Sequence, residues 1–308
     1  MWQELLQRVK QGDSRSLARS ISLVENEYPG YEQLLQGLPA TGPARVIGIT
    51  GPPGAGKSTL TDALTGELVG RGRRVAILCV DPSSPFHHGA VLGDRVRMSD
   101  WYTHEQVYIR SLASRGAVGG LHPKIIEITD LLRAAPYDYI LVETVGVGQS
   151  EIEIAGLADV TVVVLVPEAG DEIQTMKAGL MEVADLFVVN KADRPDADLF
   201  VRNLQAMLKP SGSAGTRNTP VYKTVATARQ GIAPLLEEIL RSLESARVSE
   251  RRLWLLAEKA WQLIVQRKMK QISKQQLKER IAGAMADGDF HLYTFINTYL
   301  DPTTQTDY

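Results

Sequence analysis

The run Gly51-Pro52-Pro53-Gly54-Ala55-Gly56-Lys57-Ser58 spaces glycine, lysine and hydroxyl as a phosphate cradle requires. It satisfies G-x-x-x-x-G-K-[ST] at every fixed position. Glycines let successive backbone N–H groups turn inward around phosphate oxygens, and a helix opening at the lysine adds its positive dipole end. In that arrangement Lys57 reaches the β- and γ-phosphates, Ser58 ligates Mg²⁺, and Thr59 continues the cradle into the helix. The flanks agree with the motif. Arg45-Val46-Ile47-Gly48-Ile49-Thr50 reads as a short buried strand, and Thr59-Leu60-Thr61-Asp62-Ala63-Leu64 opens a helix.

A second cluster, Asn190-Lys191-Ala192-Asp193, follows the apolar run Leu186–Val189 and matches N-K-x-D. A carboxylate accepts from both N1–H and the N2 amino group of guanine. Adenine has neither donor, so it leaves Asp193 unpaired. Lys191 would cover the base plane with its aliphatic stem. The expected ligand is a guanine nucleotide.

The metal side departs from the Ras-like pattern. Where D-x-x-G would follow a strand, this chain has Glu143-Thr144-Val145-Gly146. Gly146 can still offer its backbone N–H to a γ-phosphate, and Glu143 would sit near Mg²⁺. Asp81, at the end of Val75–Asp81, and Asp94 are further candidates. Mg²⁺ takes oxygen ligands and keeps several waters, so at most one of Asp81 and Asp94 is a direct ligand. Asp81 also reads as a plain turn-former before Pro82. His87 and His88 are adjacent, but no third residue has ligand spacing, and a solvated loop is the better reading.

These residues need a scaffold that puts them at one edge. Apolar strands are expected at Val46–Thr50, Val75–Asp81, Val107–Arg110, Tyr139–Glu143, Val160–Val166, Leu186–Asn190 and Val221–Thr224, with helical patterns between them. Near-continuous β-branched runs are how strands buried on both faces read. The alternation predicts an α/β fold with a doubly wound, mostly parallel sheet, whose ligands bind at the carboxyl ends of the strands. All the motifs fall at such ends. Residues 1–42 form a helical extension, with Asp13 as an N-cap, and 43–246 form the core domain. Residues 247–308 form a helical appendage with Ser273 as an N-cap and a last helix from about Phe290 to Leu300. Leu253, Ala257, Ala260 and Ile264 share a stripe there, beside Trp254, Trp261 and Val265. It either packs on the core or makes a subunit contact, and the tryptophans favour the contact.

Composition bounds the rest. The chain has 308 residues, 44% hydrophobic and 23% charged, as globular proteins do. A formal net charge of −2 gives no nucleic-acid footprint. The single cysteine, Cys79, lies in an apolar run, so no intrachain disulfide forms and a cytoplasmic, reducing location fits. No apolar run approaches a membrane span, and the charged N-terminus is unlike a signal peptide.

Taken together, the P-loop, Val80-Asp81-Pro82-Ser83-Ser84, Glu143-Thr144-Val145-Gly146-Val147-Gly148-Gln149-Ser150 and Asn190-Lys191-Ala192-Asp193 resemble the MeaB/ArgK GTPases over nearly the whole chain. The resemblance implies a chaperone of adenosylcobalamin-dependent methylmalonyl-CoA mutase that binds and hydrolyses GTP with Mg²⁺. It gates cofactor loading and protects the mutase. It also implies a homodimer joined through the C-terminal helices. In Val225-Ala226-Thr227-Ala228, where the family usually has Ser-Ala, alignment puts the Ala226 backbone N–H at guanine O6. Switch loops are expected at about 81–98, 144–154 and 168–178, the last gated by Gly170; Lys177 there is a signal carrier or a plain surface lysine. Pro85-Phe86-His87-His88-Gly89-Ala90 departs from the family's Thr-Gly-Gly-Ser, so the nucleotide response of that loop can differ. No arginine finger is identifiable, which implies slow intrinsic hydrolysis. Two other readings remain open: a P-loop kinase that passes the γ-phosphate to an acceptor, and a nickel or cobalt metallochaperone.

Overall fold

The computed structural model describes residues 1–40, 42–81, 98–113, 121–144, 150–169, 178–208, 219–245, 249–270, 272–288 and 290–300. Asp94, Gly146, Gly170, Lys177, His87 and His88 lie outside them, as do most of the expected switch loops 81–98 and 168–178 and residues 145–149 of the third.

Seven strands form one sheet in the order β3-β2-β4-β1-β5-β6-β7. They are β1 (Arg45–Thr50), β2 (Val75–Asp81), β3 (Val107–Ala113), β4 (Tyr139–Glu143), β5 (Val160–Leu165), β6 (Leu186–Val189) and β7 (Val221–Lys223). Every pairing in it is parallel. The expected strands are all present, with β3 longer and the ends elsewhere shifted by a residue or so. From β1 the chain winds outward one way to β2 and β3, returns to insert β4, then winds the other way. The crevice at the carboxyl ends therefore opens beside β1.

Helices cover both faces. In chain order they are α1 (Trp2–Lys10), α2 (Ser14–Glu25), α3 (Tyr31–Gln36), α4 (Lys57–Gly70), α5 (Ile125–Ala134), α6 (Ser150–Leu157), α7 (Ala178–Val183), α8 (Ala197–Leu208), α9 (Ile232–Ser245), α10 (Glu250–Met269), α11 (Lys274–Ala286) and α12 (Leu292–Leu300). Strand residues alternate between faces, and the core divides accordingly. Val46, Ala76, Leu78, Ile140 and Val142 pack with Leu6, Val9, Leu17, Ile21 and Leu34 of the first helices and Ile128 of α5. Ile47, Ile49, Val75, Ile77, Cys79 and Leu141 pack with Leu60, Leu64 and Leu68 of α4 and Leu235 and Ile239 of α9. Cys79 is buried, a small core residue as its apolar setting predicts. The helices α1–α3 thus share a core with the sheet. Asp13 caps α2 by accepting from Arg15 N at 3.0 Å. The Ser16 hydroxyl, 2.6 Å from its other oxygen, holds the Asp13 carboxyl below the usual range.

Two compact units are distinguished, residues 1–255 and 256–308. In the second, Ser273 caps α11 by accepting from Gln276 N at 3.0 Å. No residue of α10 is buried, and Trp254 and Trp261 are 71% and 64% exposed. Among the described residues no helix is long and apolar enough to cross a membrane.

Close approach at Gly48 sets where α6 lies. A Cβ there would stand 2.7 Å from Ile154 Cγ1 and 3.0 Å from Ala158 Cβ, both in packed core. Gly48→Ala is therefore expected to lower unfolding free energy by about 1–3 kcal/mol, visible as a reduced urea midpoint. An unchanged midpoint would show that α6 shifts freely on the strand.

Candidate nucleotide site

The phosphate loop joins β1 to α4. Gly51 takes φ +137°, and a Cβ on it would lie 2.1 Å from Val164 O on the neighbouring strand. Gly56 takes φ +87°, and its Cβ would fall 2.4 Å from Asn190 Nδ2. Both positions need glycine for conformation and for space. Lys57 folds back over the loop. Its Nζ donates to Gly51 O at 2.9 Å and to Pro52 O at 3.0 Å, so the buried ammonium is held inside the ring of backbone it must serve.

Strand parity delivers the carboxylate. Leu141 faces the α4 side of the sheet, so Glu143, two residues on, faces α4 as well. Ser58 Oγ donates to Glu143 Oε1 at 2.6 Å, and Thr61 Oγ1 lies 3.1 Å from Oε2. Ser58, Thr61 and Glu143 are all buried. Adjacent to them, Thr144 N donates to Ile49 O at 3.0 Å and its hydroxyl to Thr50 Oγ1 at 2.9 Å. The expected pair Ser58 and Glu143 is thus assembled in direct contact. Asp81 ends β2, two residues beyond Cys79, which pairs with Glu143 in register. Among the described residues no group of three or more His, Cys, Asp or Glu side chains could hold a metal ion.

Asn190 ties the base loops to the phosphate loop. Its Nδ2 donates to Ala55 O at 3.0 Å. Its Oδ1 accepts from Thr224 Oγ1 and from Ala226 N, each at 3.1 Å. The Ala226 N–H expected at a guanine O6 is therefore at the site but directed at Asn190, and it must be shared or released to reach a base. Lys191 takes φ +56°, unusual for a residue with a side chain, and its Nζ donates to Gly54 O at 2.8 Å. The stem thus runs across toward the phosphate loop. Asp193 is exposed. Arg194 beside it pairs with Glu168, and this hydrogen bond holds the Glu168 carboxyl below the usual range.

Three contacts were not legible in the motifs. Thr61 is one, and a search for hydroxyls one helical turn beyond the lysine could have found it. The others are at the start of α10. Arg251 donates to Val183 O at 3.1 Å and to Glu182 O, and Arg252 to Leu157 O at 3.4 Å. These guanidiniums bind the last carbonyls of α7 and α6, a favourable place for cations.

A parallel sheet with this loop between β1 and α4, a buried lysine and N-K-x-D at the end of β6 defines a P-loop GTPase. The chain belongs to the MeaB family: the family described as "Methylmalonyl Co-A mutase-associated GTPase MeaB" matches residues 17–286. A Pyrococcus horikoshii protein classed as a GTPase is 40% identical over 308 residues, covering 99% of this chain and 96% of its own. The methylmalonic aciduria type A homolog of Caenorhabditis elegans, a mitochondrial protein, is 37% identical over 207 residues, covering 62% of this chain and 52% of its own. Among solved structures, that of a protein described as "LAO/AO transport system kinase" superposes with a TM-score of 0.69 at 26% identity, covering 99% of this chain and 98% of that one. The protein is a GTPase.

Proposed function

We propose that this GTPase is a chaperone of an adenosylcobalamin-dependent methylmalonyl-CoA mutase, gating cofactor loading and protecting the enzyme from inactivation. The observation that carries the proposal is the match of residues 17–286 to a mutase-associated GTPase family. Guanine is read by Asp193, with Lys191 over the base and Asn190 bracing the loop. Phosphates are held by the backbone of residues 51–59 and by Lys57. A γ-phosphate orders the adjoining loops, and hydrolysis releases them to signal to the mutase.

The buried Ser58 hydroxyl and Glu143 carboxylate are hard oxygen donors and fit Mg²⁺. They would hold it, with Asp81 or Asp94 as a further candidate, and the ion would neutralise charge on the phosphates. Gly146 would offer its N–H to the γ-phosphate. With no arginine finger identified, intrinsic hydrolysis is slow until the partner adds order or charge.

The test is GTP turnover by the purified protein alone and with purified methylmalonyl-CoA mutase, with ATP as control. Slow GTP turnover that rises with the mutase supports the reading. An unchanged rate removes the chaperone role. The likeness to a solved protein described as a transport system kinase favours one rival, a P-loop kinase. Faster ATP turnover with a phosphorylated acceptor would establish it.

The C-terminal helices are the proposed homodimer contact, on the strength of the exposed Trp254 and Trp261. Trp254→Ser with Trp261→Ser is expected to convert a dimer to a monomer in analytical ultracentrifugation, with GTP affinity retained. A dimer that survives both changes would move the contact elsewhere. A cytoplasmic location is inferred from the lone buried Cys79.

A further inference from the structure

The carboxylate of Glu143 is gripped at both oxygens. Oε1 accepts from Ser58 at 2.6 Å, and Oε2 lies 3.1 Å from the Thr61 hydroxyl. Thr61 is fully buried on α4, one turn past Lys57, and its hydroxyl is also 3.0 Å from Lys57 O. One hydroxyl carries one proton, so Thr61 donates to the carbonyl or to the carboxylate, never to both fully. The ionised carboxylate is the stronger acceptor. Were the proton on Lys57 O, two oxygen lone pairs would face each other in a buried site, which is costly.

Glutamate also poses a problem that aspartate does not. Its extra methylene adds a rotatable bond, so an unsupported carboxylate can swing away from Ser58. A second contact on Oε2 removes that freedom. We propose that Thr61 is the positioning residue for Glu143: its hydroxyl holds Oε2 so that Oε1 stays presented at Ser58. This rests on the reading of Ser58 and Glu143 as the divalent-cation site. The residue acts through Glu143 and needs no contact with nucleotide. Its shape is dispensable and its hydroxyl is not.

Partners that orient a metal-binding carboxylate contribute about 10- to 100-fold to metal affinity. The experiment titrates Mg²⁺ against binding of methylanthraniloyl-GDP, followed by fluorescence, in the full chain. Thr61→Val keeps volume and loses the hydroxyl. It is expected to raise the Mg²⁺ midpoint by about tenfold or more, while affinity in EDTA stays within about twofold. Thr61→Ser keeps the hydroxyl and is expected to stay near wild type. In a Glu143→Gln background, Thr61→Val is expected to add nothing further. If Thr61→Val does not fold, Thr61→Ala replaces it in the same titration.

A wild-type midpoint in the hydroxyl-free variant would overturn the inference. So would an equal loss in Thr61→Ser, which would make the role one of packing, or a full additive loss on top of Glu143→Gln. Wild-type binding that ignores Mg²⁺ altogether would overturn the cation reading, and the inference with it.

Discussion

Lys57→Met is expected to reduce single-turnover GTP hydrolysis by about 10²- to 10³-fold. Methionine matches the lysine stem out to Cε and keeps it packed, so the change removes the ammonium and its two hydrogen bonds to the loop. That charge is fixed at 2.9 and 3.0 Å from Gly51 O and Pro52 O, inside the loop that receives the phosphates. A cation held there before the reaction needs no reorganisation when negative charge shifts among the phosphate oxygens, which is what makes such a group effective. Nucleotide affinity should fall too, because the same ammonium meets the ground-state phosphates. The decisive quantity is the rate at saturating GTP. A drop of less than about tenfold there would mean that Lys57 binds nucleotide without stabilising its transition state.

Asp193→Asn is expected to change which base the protein accepts. The carboxylate presents two acceptors, matching the N1–H and N2 amino donors of guanine. Asparagine presents one acceptor and one donor. Xanthine, with N1–H beside a carbonyl at C2, has the complementary pattern. Two charge-assisted hydrogen bonds at about 1.5–3 kcal/mol each predict a loss of GTP affinity of about 10²- to 10⁴-fold. Xanthosine triphosphate should bind the variant better than GTP does. Asp193 is exposed, so the substitution leaves the fold alone. Competition binding of the two nucleotides reads the outcome directly. A variant that still prefers GTP would show that the base is read elsewhere, for instance by the backbone around Ala226.

The scaffold was largely legible in the chain. Buried parallel strands have to be apolar on both faces, so β5 announces itself as Val-Thr-Val-Val-Val-Leu. The caps Asp13 and Ser273 were legible for a similarly local reason: each bonds a backbone N–H within three residues. The Ser58–Glu143 pair was foreseen as two members of one site because the phosphate-loop serine and the glutamate at the D-x-x-G position both read as Mg²⁺ groups. What stayed hidden depends on long-range register. The hydrogen bond from Thr61 to Glu143 joins residues 82 apart. Only the order β2-β4-β1 and the facing of α4 bring them together. The role of α1–α3 was hidden likewise. Their apolar stripes mark them as helices with something to cover, but not that Leu17 and Ile21 would share a core with Ile140. The Ala226 N–H illustrates a different limit. Alignment can say that a backbone group is near the base, but not that a neighbouring amide holds it.

The grip of Asn190 has a bearing on nucleotide exchange. One side chain bonds the phosphate loop at Ala55, the end of β7 at Thr224 and the following turn at Ala226. Lys191 adds a second strut to Gly54. The base side is therefore braced as a block, and opening the loops around the base would break several of these bonds at once. On the opposite side, among the described residues, Glu143 is held by the Ser58 and Thr61 hydroxyls. An exchange factor that loosened the phosphates first would let the base leave with these braces intact. Rapid reloading would follow, because the socket left behind would still be shaped for guanine.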